Sequence, residues 1–243
     1  MKFITLKKRS IVLVSALTIA LILAIVATSL TGSAQVWQGR NPSASAIEHI
    51  QTDKNAIALT FDTCELGEGH ARQIMQILID HNARATFFVT GKWAEQNSDL
   101  LREMAATGRI EIGTHGTTHQ DMRSLREDAI RLSLTTSINI INNITGKQAV
   151  SLFRPPYGAY NNRVLQVAAS LGLKTIHYTT NSLDNSDRHS QENVILNVMN
   201  NANKGAIILM RHDGIHTVSA LPPILEALRI RGVGTAAIGE LLG

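Results

Sequence analysis

Two histidines four residues apart, His115 and His119 in Thr114-His115-Gly116-Thr117-Thr118-His119, have the spacing that puts two imidazoles one helical turn apart on the same side. That spacing suits a shared divalent metal. Asp62 closes the apolar run Ile57–Phe61 and precedes a predicted helix. A carboxylate so placed can ligate the metal, take a proton from water as a general base, or cap the helix. Arg154-Pro155-Pro156-Tyr157-Gly158 reads as a stiff turn after a strand. Its prolines fix φ, its glycine frees it, and its arginine can hold a carboxylate through two parallel N–H groups. Cys64 is the only cysteine in 243 residues, which excludes an intrachain disulfide framework and a Cys-rich zinc module. Any metal must therefore lean on histidines and carboxylates, with Cys64 either joining as a thiolate or packing as a small apolar side chain.

The elements that must hold these residues show in the hydropathy pattern from Ala56 onward. Seven short apolar runs rich in β-formers begin at Ile57, Ala85, Ile110, Ser151, Lys174, Ala206 and Gly234. Between them lie stretches of helical period, such as Ala71–Asp80 with Ile74, Ile77 and Leu78, and Leu125–Asn143 with Ile130, Leu134, Ile138 and Ile141. Strand and helix in alternation mean a parallel sheet, and runs this short favour a closed or nearly closed (β/α) barrel over an open doubly wound sheet, a choice periodicity alone leaves open. Asp62, His115, His119, Arg154, Tyr157, Asp184 and His212 all fall just beyond predicted strand carboxyl ends, the face on which such barrels build active sites.

The net charge of +4 is local. Lys2, Lys7, Lys8 and Arg9 precede any acid, and setting them aside leaves 19 bases against 19 acids. That balance gives no support to nucleic-acid binding. Behind the basic start, Ile11–Leu30 carries 20 residues without a charge, enough to span a bilayer core of roughly 30 Å. Residues 1–34 are expected to be a signal peptide or a membrane anchor, and both put the rest of the chain outside the cytoplasmic membrane. Residues 35–55, polar and without a sustained period, read as a linker, and 56–243 as one domain. Two Trp and three Tyr offer few stacking platforms, so Tyr157, Tyr160 and Trp93 are expected to line only a short cleft.

In this order the motifs resemble the polysaccharide deacetylase family, whose catalytic domain is called the NodB homology domain and which forms carbohydrate esterase family 4. The matching pieces are Thr60-Phe61-Asp62, Ala85–Val89, Glu111–His115 with His119, Phe153–Gly158, Leu183-Asp184, and Leu209–Asp213 followed by Thr217–Pro222. The resemblance implies an α/β fold, a distorted (β/α)7 TIM-like barrel behind an N-terminal hydrophobic helix, and metal-dependent removal of acetyl groups from N-acetylated, less often O-acetylated, sugars. It implies Asp62 as catalytic base, His115 and His119 as metal ligands, and Arg154 as the residue orienting the base. The backbone N–H near Tyr157 would hold the oxyanion, and Asp184 would tune His212 as general acid.

Three departures bear on that transfer. Thr63 stands where the family has a second Asp, its third metal ligand, leaving Asp62, Cys64 or water for that place. The stretch Gly205–His212 is one residue longer than usual, so a regular strand would turn His212 to the other face and bring Arg211 into the acid's position unless a bulge restores the register. Asn181 and Asn185 replace acidic and tryptophan residues near Asp184. The expected cofactor is a divalent metal, zinc first, with cobalt(II) and nickel(II) suiting the same ligands. The expected partner is an N-acetylated cell-envelope polysaccharide such as peptidoglycan, with the membrane a second contact if the N-terminal segment stays attached. A catalytically impaired glycan-binding protein, and a hydrolase of non-sugar amides, are the rival expectations.

Overall fold

The computed structural model describes residues 44–64, 67, 69–146 and 151–243. The expected signal or anchor over 1–34 lies outside them. Among the described residues no helix is long and apolar enough to cross a membrane.

Among the described residues eight strands carry the seven apolar runs: β1 Ala56–Asp62, β2 Ala85–Val89, β3 Ile110–Thr114, β4 Leu152–Phe153, β5 Lys174–Thr175, β6 Thr180–Asn181, β7 Ile207–Arg211 and β8 Gly234–Thr235. Seven of them form a parallel path in the order β5-β4-β3-β2-β1-β7-β6, and β8 pairs with the start of β1. The crossovers supply α1 (Ala71–Asp80), α2 (Gly91–Gln96), α3 (Ser98–Ala106), α4 (Glu127–Thr145), α5 (Asn162–Ser170), α6 (Gln191–Asn201), α7 (Thr217–Ile230) and α8 (Ile238–Leu242). This is the distorted (β/α)7 barrel expected from the sequence. The two predicted helices appear as α1 and α4, burying Ile74 and Leu78 in one, and Ile130, Leu134 and Ile141 in the other. Helix α4 runs to Thr145 and ends at Gly146, whose left-handed φ of 64° makes the C-cap.

The fifth run yields two strands because the chain there crosses the gap in the sheet. β5 pairs with β4 and β6 with β7, and the two ends of the path are not paired with each other. The gap is stitched by residues that the sequence assigned to a linker. Ile47 donates its N–H to Thr175 O (2.8 Å) and accepts from His177 N (2.8 Å), while Ile50 donates to Gly205 O (2.9 Å) and Thr179 Oγ1 to Glu48 O (2.6 Å). Ile47 and His49 form bridges to Ile176 and Ala206, and Ile50 is buried. The compact unit accordingly begins at Ala44 rather than at 56. A lone edge segment shows no hydrophobic period, so its pairing was invisible before the sheet was assembled.

Gly205 makes this closure possible. Its φ is +80°, and a Cβ there would lie 1.9 Å from Ile50 O, a backbone atom. Gly205→Ala is expected to cost about 2–3 kcal/mol, read as a lowered urea midpoint with an unchanged slope. A wild-type midpoint would show that the 44–50 arm is not part of the cooperative fold.

Alternation along the strands sorts the side chains. Ile57, Leu59 and Phe61 of β1, Phe87 and Val89 of β2, and Ile208 and Met210 of β7 belong to the large core between sheet and helices. The other parity faces the barrel interior: Ala58, Phe88, Leu152 and Ile207 form a smaller inner core. Above it, on the same parity, stand Asp62, His115, Arg154 and Arg211.

Candidate metal and active site

Arg154 is fully buried, and its position two residues past Leu152 aims it into the barrel. Nη1 donates to Asp62 Oδ1 (2.8 Å) and Thr60 Oγ1 (2.7 Å), and Nη2 to His177 O (2.9 Å). The guanidinium also lies 4.2 Å over the Phe88 ring. A buried guanidinium with its donors so engaged fixes one oxygen of Asp62 and leaves the other, Oδ2, to the interior. Oδ2 lies 3.8 Å from Nε2 of His115.

His115 is fully buried, and its Nδ1 is 2.7 Å from Arg154 O. A carbonyl can only accept, so Nδ1 carries the proton and the lone pair sits on Nε2. Burial lowers the His115 pKa to about 4, against the pull of Asp62, so the ring is neutral. Nε2 is buried and has no hydrogen-bond partner. A neutral imidazole, oriented by a carbonyl behind it and with its lone pair unused beside a carboxylate, has the arrangement of a metal ligand.

His119 stands next to it, the two rings 5.1 Å apart between centroids. The sequence places the pair on one helical turn; the structure places it on an irregular loop after β3. Gly116, at φ +81°, turns that loop, which is held by Gly116 N to Thr114 Oγ1 (3.1 Å) and Gly91 N to Gly116 O (2.9 Å). The rings meet through this turn instead of helical geometry. The Tyr157 ring packs edge-on against His119 at 4.2 Å, and its hydroxyl donates to His119 O (3.2 Å). Tyr157 itself is left-handed (φ 61°, ψ 9°) and 67% exposed, a backbone state a non-glycine residue adopts at a cost of about 1–2 kcal/mol.

A cavity of about 120 Å³ opens here, lined by Asp62, His119, Tyr157, Gly158, Tyr178, Asn181, Asn185, Leu209 and Arg211. The predicted aromatic wall needs correction. Trp93 is 0% exposed, and Tyr160 is turned toward Glu48, so Tyr178 joins Tyr157 instead. Leu209 and Thr60, present in the matching motifs, were given no site role from the sequence, although each lies two residues before a polar inner residue and so shares its face.

Strand β7 carries no bulge in its pairing with β1: Asp62 is opposite Arg211, and Ile208 opposite Leu59. Arg211 therefore faces the cavity and His212 points behind the sheet. The buried His212 ring stands edge-on to Trp93 at 6.0 Å, with Nδ1 3.2 Å from the backbone oxygen of Asp62. Burial lowers its pKa. Asp184, which the resemblance couples to this histidine, makes its side-chain hydrogen bonds elsewhere. Oδ2 accepts from Arg211 N (2.9 Å) and from Thr217 Oγ1, and the Asp184 backbone oxygen accepts from His216 N. Asp184 holds the backbone of the β7–α7 turn.

More than half of the chain, residues 49–176, matches the sequence pattern of the polysaccharide deacetylases. The chain belongs to the polysaccharide deacetylase family. It is thereby a hydrolase of the class acting on carbon–nitrogen bonds other than peptide bonds. The chitooligosaccharide deacetylase of Rhizobium leguminosarum bv. trifolii is 32% identical over 205 residues, covering 78% of this chain and 93% of that one. The structure of PdaA from Bacillus subtilis, a family 4 carbohydrate esterase, is 27% identical with a TM-score of 0.74, covering 82% and 85%. A CE4 family pseudoenzyme from Bacillus anthracis is 28% identical with a TM-score of 0.76, covering 83% and 70%.

Within this polysaccharide deacetylase, Thr63 offers no ligand to the histidines: it is fully buried, and its Oγ1 accepts from Thr90 N (3.4 Å). Cys64 lies in another cluster. Its donor atom, with those of His212 and Asp213, forms the one group among the described residues in which potential metal donors all lie within 4.8 Å. The Arg211 guanidinium sits among them, with Nη2 3.0 Å from Cys64 Sγ and Nε and Nη2 on the two oxygens of Asp213. A fixed positive charge there opposes a cation, and burial raises the Cys64 pKa away from the thiolate. The two imidazoles of His115 and His119 lie at the cavity without a cation among them and could hold a metal, although their donor atoms and those of Asp62 do not all fall within 4.8 Å of one another.

Burial also raises the pKa of Asp184, outweighing its hydrogen bonds. A carboxyl raised in the fold gives stability that is full below the unfolded value and is lost as pH climbs through the raised one. Asp184→Asn keeps an acceptor for Arg211 N and Thr217, and is expected to flatten the pH dependence above the ordinary carboxyl range. Urea midpoints across that range check it; a steeper loss in the variant would refute the burial argument.

Proposed function

We propose that the chain is a metal-dependent carbohydrate deacetylase that releases acetate from N-acetylhexosamine units of a cell-envelope polysaccharide such as peptidoglycan. The observation that carries this is the buried, unpartnered Nε2 of His115 facing Asp62 Oδ2, with His119 alongside at a cavity mouth. His115 and His119 would hold the ion, and their imidazoles suit zinc. The metal supplies polarisation of the acetyl carbonyl and a more acidic water.

The chain's residues do the rest. Asp62, fixed by Arg154, takes a proton from the attacking water. The backbone at Tyr157, beside the His119 ring, offers an N–H to the oxyanion. Arg211 stands where the resemblance puts the acid, and a guanidinium paired with Asp213 gives up no proton. Asp62 must then return its proton to the departing nitrogen as the carbon–nitrogen bond breaks. This role is consistent with its being the sole carboxylate lining the cavity among the described residues. The work is done outside the cytoplasmic membrane, an inference from the basic start and the apolar run Ile11–Leu30.

Acetate release from peptidoglycan, chitooligosaccharides and acetylated xylan, with and without chelator, tests the proposal. Chelator-sensitive release is expected, and its absence from all three substrates would sink it. Thr63 after Asp62 and the likeness to a pseudoenzyme favour a second reading, glycan binding without catalysis. Sub-stoichiometric metal together with glycan binding and no acetate would select it.

A further inference from the structure

We propose that Arg211 is a specificity-determining residue, whose guanidinium receives a carboxylate carried by the acetylated sugar or by its neighbour in the chain. The proposal rests on the deacetylase reading for what enters the cavity, and on the following geometry for what the cavity selects. A guanidinium has five N–H donors. In Arg211 three are engaged: Nε on Asp213 Oδ1 (3.0 Å), and Nη2 on Asp213 Oδ2 (3.2 Å) and Cys64 Sγ (3.0 Å). No acceptor among the described residues takes the two donors of Nη1, and Arg211 is a wall of the cavity.

The group is also held rigidly. Asp213 clamps one edge from behind, Cys64 packs beside it, and the Arg211 backbone N–H is pinned by Asp184. A side chain already ordered loses little freedom on meeting a ligand, and charge-assisted bonds from arginine to a carboxylate are about twice as strong as neutral ones. Asp62, directly across the strand pair, gives one oxygen to Arg154 and makes no hydrogen bond to Arg211. Asn181 and Asn185 extend the same wall with amides that tolerate an anion, and no carboxylate besides Asp62 lines it among the described residues. Two sugar chemistries carry such a group: a lactyl ether on the ring and a uronic acid.

The test measures binding by calorimetry to the full chain, with and without added zinc. The probes are an N-acetylated disaccharide bearing a lactyl carboxylate, its methyl ester, an N-acetylated uronate disaccharide, and neutral di-N-acetylchitobiose. At least one acid is expected to bind on the order of 10- to 100-fold more tightly than the ester and the neutral sugar. Whichever acid wins identifies the source. Arg211→Gln is expected to erase the preference and Arg211→Lys to retain part of it. Changing the ligand asks the same question of the unmutated protein, should a variant fail to fold. Equal affinity for acid and ester, no measurable binding of either acid, or a preference that survives Arg211→Gln would each overturn the proposal. Acetate release separates it from its parent. Release from neutral sugars without an acid preference removes this inference alone, and no release from any substrate removes the deacetylase reading while the binding preference still decides this one.

Discussion

His115→Ala is expected to strip the chain of bound divalent metal and to lower acetate release by at least about 10²-fold, with the barrel intact. The ring presents the lone pair of its buried Nε2 3.8 Å from Asp62 Oδ2, and its tautomer is set by Arg154 O. The variant also leaves that carbonyl without its donor, at a cost of about 1–3 kcal/mol, which the large sheet–helix core can absorb. Elemental analysis, circular dichroism and an acetate assay on the same preparation check all three parts. His119→Ala should lose metal in the same way with a smaller change in stability, because its ring lies at the cavity mouth. Full metal and full activity in His115→Ala would show that the pair is structural.

Asp62→Asn is expected to keep metal near the wild-type level while turnover falls by roughly 10²-fold or more. The amide still offers an oxygen to Arg154, so the buried guanidinium keeps a partner and the fold should hold. What disappears is the group that takes the proton and returns it. The 3.8 Å approach of Oδ2 to His115 Nε2 gives the alternative a distinct signature. If Asp62 has taken the place of the absent second carboxylate as a ligand, metal content and turnover fall together. Measuring both on one sample decides the role.

Much of this site was legible in the sequence because it rests on short-range rules. Period-two alternation puts Asp62, His115, Arg154 and Arg211 on one face of their strands, and parallel strands put their carboxyl ends on one rim. Family resemblance in ordered motifs then supplied the chemistry. The structure kept the barrel and the pairing of Asp62 with Arg154, and it brought His115 to Asp62.

Other features depended on register and closure, which no local pattern encodes. Whether Arg211 or His212 enters the cavity turned on a single residue of strand length. The unbroken ladder between β1 and β7 decided it, since a bulge would have exchanged the two. Cys64 could be weighed as a ligand until the fold put it beside Arg211 and Asp213, away from the histidine pair. Trp93 looked available to a sugar, but α2 carries it into the sheet–helix core. Residues 44–50 resembled a linker because an edge segment needs only backbone hydrogen bonds, and those have no signature in side-chain type. Composition and spacing thus determined which residues face the rim. Which of two adjacent side chains occupies the cavity, and what closes the sheet, were decided by long-range backbone pairing, whose free energy depends on partners far away in the chain.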